Sequence, residues 1–166
     1  RPPGLRERLL WREPLRVLVP AGDELDRAGG PVSLDALAGR PLIVGGTAAE
    51  GSPTSSEGHA AEVLYQLAAR GRAVHPRAIV DTPVGKGLLG RVALVRAGVG
   101  VGVVNAVALG PFDLTGLSVL DVGDPTVRRD VVGYWYDAIT TSGVGMELQR
   151  AILAAPPPPG GHPPEG

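Results

Sequence analysis

The chain of 166 residues contains no cysteine and few aromatic residues, namely one phenylalanine, two tryptophans and three tyrosines. The absence of cysteine excludes disulfide bonds, thiolate catalysis and thiolate metal ligands. No stretch approaches the roughly 20 apolar residues of a membrane-spanning helix, and the first residues lack the apolar centre of a secretory signal. We therefore expect a cytoplasmic protein that does not enter a membrane.

An excess of charge of one sign is also lacking. The formal net charge is -1 and the sequence pI is about 6.3, and the arginines are scattered along the chain. Without a basic field, these residues are poor candidates to hold nucleic acid by themselves. The hydrophobic content of 43% is enough for one core of ordinary size, which corresponds to one domain or two small lobes.

The most informative stretch that is present covers residues 86–105. An apolar set at helical spacing stops at Gly98, and a Val/Gly run over 99–104 follows at once. A strand without polar alternation is typical of a parallel sheet that is covered on both faces. We expect Gly98 to end the helix in the left-handed conformation, and Gly100 and Gly102 to permit close approach of neighbouring elements. The helical set is Leu88, Leu89, Val92, Ala93 and Val95.

The residues before this stretch predict alternating strands and helices. Apolar runs at 15–19, 41–44 and 78–81 are expected to be strands. Ser33 can cap a short helix that Gly39 ends, and Thr54 with Glu57 matches a capping box for a helix over about 55–70. The resulting order of elements, which is strand, helix, strand, helix, strand, predicts that the strands pair in parallel and are joined by right-handed crossovers.

The residues after Asn105 predict two more strands and a last helix. The strands are expected at 117–122 and 129–136, and Thr141 or Ser142 can cap the helix. That helix carries Val144, Leu148 and Ile152 at helical spacing. The Pro/Gly tail over 155–166 is expected to be disordered.

Polar loops at the strand ends are the best candidate for a binding site. The loop 45–56 lies between a strand and a helix N-terminus, where free N–H groups and the helix dipole favour an anion. Thr82 holds the equivalent place before the next helix, close to Lys86, the only lysine. In an open parallel sheet, both loops lie at the carboxyl ends of the strands, where such folds bind ligands. Taken singly, these residues fit ordinary caps and turns equally well.

Other functional patterns fail on spacing or composition. The Gly98, Gly100 and Gly102 series follows a helix and enters a strand, which is the reverse of a dinucleotide loop. Residues 85–87 lack the preceding glycine and following Ser/Thr of a phosphate loop. His59 and Glu62 have no third ligand at metal spacing, and no nucleophile elbow is present. Trp135 is expected in a core or cleft wall.

Three stretches in sequence resemble the effector-binding domain of LysR-type transcriptional regulators. They read WREPLRVLVPAGDEL at 11–25, VSLDALAGRPLIV at 32–44 and LVRAGVGVGVV at 94–104. The resemblance covers about residues 9–153, including the strand with Trp135 and the closing helix. Asn105 stands where the family usually has proline.

The resemblance implies an α/β fold of the type-II periplasmic-binding-protein kind. It implies one complete lobe, with a mainly parallel sheet and helices on both faces, plus part of a second lobe. Residues 1–14 would lead in from the first lobe, 15–104 would form the second lobe, and 105–154 would return to the incomplete first lobe. We expect a C-terminal fragment without the family's winged-helix domain.

The resemblance also implies a function. We expect a small molecule, with a carboxylate as its class, to bind between the lobes without catalysis, cofactor or metal. The intact protein would form dimers or tetramers and contact DNA only through its winged-helix domain. A solute-binding protein of the same fold is the alternative, and an enzyme such as a dehydratase or deaminase is a third. The expected ligand-binding residues are Thr47, Ser52, Thr54, Ser55, Thr82, Val84, Lys86 and Asn105.

Overall fold

The computed structural model describes residues 2–44, 78–81, 88–138 and 142–164. The fold divides into two compact units. The larger unit is Pro14–Val127, and the smaller unit combines Arg1–Glu13 with Arg128–Gly166. The predicted helix over about 55–70 and the loop 45–56 lie outside the described residues.

The larger unit is built on a mixed sheet in the order β3-β2-β4-β1-β5. β2 pairs in parallel with both β3 and β4, as the sequence predicts, and β1 pairs antiparallel with β4 and β5. The α/β fold class is thereby confirmed. The strands are β1 (Leu5–Pro20), β2 (Pro41–Val44), β3 (Ala78–Asp81), β4 (Val101–Asn105) and β5 (Leu117–Asp121).

Helices cover both faces of this sheet. On one face, Leu34 and Leu37 of α2 (Leu34–Ala38) pack with alternate residues of β1 and β4, and α1 (Glu24–Ala28) lies close by through Leu25. On the other face, Val92 and Val95 of α3 (Leu88–Arg96) pack on the intervening residues of the same strands. This alternation of side chains between two apolar cores is what a strand buried on both faces requires.

The expectations for the glycines near α3 and β4 are confirmed. Gly98 has φ +71° directly after the helix, a conformation that costs glycine nothing. A Cβ at Gly100 would lie 2.5 Å from the carbonyl oxygen of Pro41, and one at Gly102 would lie 3.2 Å from Val95 Cγ2. The two glycines therefore set how closely β4 approaches β2 and α3.

The smaller unit contains the first part of β1, which pairs with β6 (Arg128–Tyr136), and the helix α4 (Gly143–Ala154). The hydroxyl of Ser142 accepts the Gly145 N–H at 3.0 Å, which makes Ser142 the helix cap. Of the α4 residues, Gly145 is buried and Gln149 and Leu153 line a groove that Trp135 also lines. Val144, Leu148 and Ile152, which were expected at apolar positions, are 79%, 58% and 46% exposed.

Three features differ from the sequence expectations. β1 runs for 16 residues through Pro14 rather than over 15–19. β1 pairs antiparallel with β4 and β5, whereas the strand–helix order predicted parallel pairing for its residues 15–19. The rule for crossovers does not apply to it, because β1 lies between β4 and β5 rather than beside β2, the next strand in the chain. The tail, expected to be disordered, is bridged to β1 through Arg12 and His162. The domain boundaries drawn from the family resemblance remain a prediction.

Candidate functional site

The parallel strands β2, β3 and β4 end together at one edge of the larger unit's sheet. Val44 pairs with Asp81, and Ile43 pairs with Gly102, so Asn105 lies just beyond the level of Val44. This carboxyl edge is where open α/β sheets bind ligands, because the strand ends leave a crevice between diverging loops. We call it the carboxyl edge below.

Asn105 is the predicted site residue that the structure describes. It is the last residue of β4, lies opposite Leu15 of β1, and is 7% exposed. Alternation along the strand places it on the same face as Val101 and Val103. A carboxamide can donate and accept hydrogen bonds, so Asn105 gives an otherwise apolar strand end the capacity for polar recognition.

Arg91 is a second polar residue near this edge, and sequence reasoning missed it. Its side chain is 3% exposed, and Nη1 donates to the carbonyl oxygen of Val103 at 3.0 Å. The stem crosses Gly102, where a Cβ would lie 3.4 Å from Arg91 Cγ and Cδ. A glycine at this position thus lets an arginine from α3 reach across the strand toward its carboxyl end.

The spacing of Arg91 contained a signal. Arg91 lies three residues after Leu88 and four before Val95, which puts it on the apolar face of α3. A charged residue on a buried helix face, opposite a glycine in the next strand, indicates an arginine that is held inside the fold. The guanidinium approaches the carboxyl edge from the α3 face, whereas Asn105 lies on the other face.

The remaining predicted ligand-binding residues lie outside the described residues. They follow β2 and β3 in the chain, and their role in binding remains a prediction. They are Thr47, Ser52, Thr54, Ser55, Thr82, Val84 and Lys86.

A separate cavity of about 330 Å³ lies at the opposite, amino edge of the same sheet, where Pro41 begins β2. Arg40 in its wall forms ion pairs with Asp23 and with Glu24. Because two carboxylates face this one guanidinium, the cavity offers little attraction for an anion. Gly98 and Gly100 also line it, which places the end of α3 at the amino edge and its first turn near the carboxyl edge.

Within the described ranges, no three acidic or histidine side chains are grouped as a metal ion would require. In the same ranges, no helix has the length and apolarity needed to cross a membrane.

Comparison with known families decides what kind of domain this is. The family model "LysR substrate binding domain" matches residues 1–141. The chain belongs to this family. Members are regulatory effector-binding domains, as the resemblance of the three motifs implied. Among curated proteins, none matches the chain.

Solved structures of LysR-type regulators share the fold. The BenM effector binding domain with its effector benzoate is 20% identical with a TM-score of 0.65, over 95% of this chain and 69% of that one. The CcmR regulatory domain of Synechocystis PCC6803 in complex with 2-PG is 16% identical with a TM-score of 0.65, over 93% and 69%. Full-length BenM carrying an E226K mutation is 18% identical with a TM-score of 0.73. The chain spans 50% of that full-length protein and 65% of a BenM effector-domain variant.

Proposed function

We propose that this chain senses a small-molecule effector as the regulatory part of a LysR-type transcriptional regulator, and that it catalyses no reaction. The observation that carries the proposal is the buried polar residue Asn105 at the carboxyl edge of the sheet, in a chain that belongs to the LysR substrate-binding family. The buried Arg91 approaches the same edge from the opposite face of the sheet. Polar groups are retained in such a position when a ligand or the fold uses them.

The effector is proposed to be a small carboxylate. Arg91 brings a positive charge to the carboxyl edge, and Lys86 and the hydroxyl residues that follow β2 and β3 in the sequence would add donors that suit an anion. Two neighbours of the same fold carry the ligands benzoate and 2-PG. We propose Thr47, Ser52, Thr54, Ser55, Thr82, Val84, Lys86 and Asn105 as the contacts.

The whole protein is proposed to follow its family. Residues 15–104 would form one lobe and 105–154 would return to the other, and effector binding would shift an existing equilibrium between lobe arrangements. The regulator would form dimers or tetramers in the cytoplasm and contact DNA through a winged-helix domain. A solute-binding role on the same fold is the rival.

Binding measurements test the proposal. Small carboxylates, including benzoate and 2-PG, are screened by thermal shift, and calorimetry then follows with a ligand that stabilises the chain. Asn105→Ala and Thr82→Ala should each weaken binding about tenfold, equivalent to about 1.4 kcal/mol. Thr115→Ala, an exposed threonine of the same unit, is the matched control. If both site variants bind the ligand with unchanged affinity, the proposed site is wrong. If no carboxylate stabilises the chain, the proposal that the effector is a carboxylate is wrong.

A further inference from the structure

The smaller unit contains a groove with a volume of about 470 Å³, which is lined by residues of β1, β6 and α4. Sites for small molecules in proteins typically span about 300–1,000 Å³. The side chains of Trp135, Gln149 and Leu153 in its lining are half-buried, whereas those of Arg6 and Arg8 are exposed. The groove therefore combines an amphipathic floor with a charged rim.

The pairing of β1 with β6 brings the indole of the groove and its arginines to one face. A Cβ at Gly133 would lie 3.3 Å from Leu10 Cδ1, so residues 10 and 133 share a face of the strand pair. Side chains alternate along a strand, which places Arg6 and Arg8 on the face of Leu10 and Trp135 on the face of Gly133. The indole and the two guanidinium groups therefore emerge on the same face.

Three hydrogen-bond donors of this groove have no partner within the part of the chain that the structure describes. They are the guanidinium of Arg8, the carboxamide of Gln149 and the indole N–H of Trp135. The other tryptophan differs, because Trp11 Nε1–H donates to Glu13 Oε1 at 2.8 Å. A tryptophan that is partly buried usually has a partner for its N–H. Three unused donors around one groove therefore favour a ligand that supplies acceptor oxygens.

The charges at the rim differ in whether they are already paired. Arg6 donates to both carboxylate oxygens of Asp137, through Nε at 2.9 Å and Nη2 at 3.2 Å, so this carboxylate neutralises its charge. Glu7, the other carboxylate of the lining, lies on the opposite face of β1 by strand alternation. Arg8 is thus the arginine that can hold a carboxylate or a phosphate through two parallel hydrogen bonds.

We propose that this groove is a second ligand site, which binds a planar aromatic anion. The ring of the ligand stacks on Trp135 and packs against Leu153, since aromatic rings stack favourably on an accessible indole. The carboxylate or phosphate of the ligand accepts hydrogen bonds from Arg8 and Gln149. All of these residues belong to the smaller unit, so the inference does not depend on the effector site at the carboxyl edge.

The test follows the indole N–H signals of the full chain by NMR, and because the chain has two tryptophans, Trp11→Phe assigns them. The probes are 2-naphthoate, an aromatic carboxylate, and phenyl phosphate, an aromatic phosphate. At least one should shift the Trp135 signal to saturation and leave the Trp11 signal in place, and the tighter probe identifies the anionic group. The neutral 2-naphthamide and the non-aromatic cyclohexanecarboxylate should each bind about tenfold or more weakly than that probe. If neither anion shifts the Trp135 signal, the proposal is overturned.

Substitutions then locate the binding. Arg8→Gln should weaken the binding of the anionic probe about tenfold or more, because a charge-assisted hydrogen bond is lost. Arg150→Gln is the matched control, since Arg150 is an exposed arginine of α4 outside the lining. Asn105→Ala, in the larger unit, should leave the response of Trp135 unchanged. Equal effects of Arg8→Gln and Arg150→Gln, or loss of the response in Asn105→Ala, would contradict a separate site in this groove.

Discussion

At the scale of single residues, Arg91 is the side chain whose charge and packing can be separated by experiment. Arg91→Met keeps an unbranched stem over Gly102 and removes the guanidinium that donates to Val103. We expect benzoate, or another carboxylate found to bind, to bind at least tenfold more weakly, while the corresponding neutral amide is unaffected. Calorimetry with both ligands measures this, and Arg96→Met on the exposed end of α3 is the control. An equal loss for both ligands would mean that Arg91 acts through packing alone.

Gly100 limits how closely β4 approaches the start of β2. Gly100→Ala places a Cβ 2.5 Å from the Pro41 carbonyl oxygen. Because the oxygen belongs to the backbone and the position of a Cβ is fixed by its own backbone, the two strands must separate. We expect a loss of about 1–3 kcal/mol in the free energy of unfolding, measured by urea denaturation. Gly39→Ala, where a Cβ meets nothing within 4 Å, should change stability by less than about 0.5 kcal/mol.

Asp137 joins the end of β6 to the start of β1. Its carboxylate accepts from Arg6 Nε at 2.9 Å and Nη2 at 3.2 Å, and its own N–H donates to the Gly4 carbonyl. The hydrogen bond from Arg6, with its charge, lowers the pKa of Asp137. Because the folded pKa is depressed, the stabilisation is present above the usual carboxyl range and is lost as pH falls through the folded pKa.

An NMR titration of the carboxyl groups measures this effect directly. Arg6→Gln should return the pKa of Asp137 toward its ordinary value. Asp113 is the internal control, because its pKa is lowered by hydrogen bonds from Thr115 rather than by Arg6. A pKa of Asp137 that stays depressed in Arg6→Gln would show that Arg6 is not the cause.

At the scale of secondary-structure elements, the N-terminal caps of the two short helices differ in the interactions that they form. Ser33 caps α2 by accepting the Ala36 N–H at 3.1 Å. Asp23 caps α1 by accepting the Leu25 N–H at 2.9 Å, and it also pairs with Arg40. Ser33→Ala should cost about 1 kcal/mol, and Asp23→Ala about twice that. Asp23→Asn should recover the cap but not the ion pair, so thermal unfolding should place it between Asp23→Ala and wild type.

Elements set by local signals were predictable, and those set by distant partners were not. The bounds of β2 and β3, the Ser33 cap and the left-handed Gly98 follow from neighbouring residues. The length of β1 does not, because its two halves pair with strands that lie far away in the sequence, β4 and β5 for one half and β6 for the other. Asn105 was found as the polar end of a buried strand. The position of Arg91 on the apolar face of α3 was a signal in the sequence, but its hydrogen bond to Val103 depends on the contact of its stem with Gly102, which exists only in the fold.

The tail shows the same limit in a different form. Its composition indicates disorder because prolines and glycines cannot form a core. Docking, however, depends on Trp11, which lies near the other end of the chain, and on a strand edge that exists only after folding. A composition rule judges a segment by itself, so it cannot detect a surface that another part of the chain supplies.

At the scale of the whole molecule, the buried hydrophobic side chains are unevenly divided. Among the described residues, every buried hydrophobic side chain belongs to Pro14–Val127. The smaller unit instead exposes 60% of Tyr134, 79% of Val144 and 58% of Leu148. Since burial of apolar area is the main source of stability, the two units should differ in their opening free energies.

Native-state hydrogen exchange tests this difference. Amides of β4 and α3 should exchange only through the largest openings of the larger unit, whereas those of β6 and α4 should exchange through openings at least about 2 kcal/mol smaller. Low concentrations of urea should speed exchange in β6 and α4 first. Gly100→Ala should lower protection in β4 and leave β6 unchanged, because the clash lies inside the larger unit. Equal opening free energies throughout, with a common response to Gly100→Ala, would instead mean that the chain opens as one cooperative body despite its uneven core.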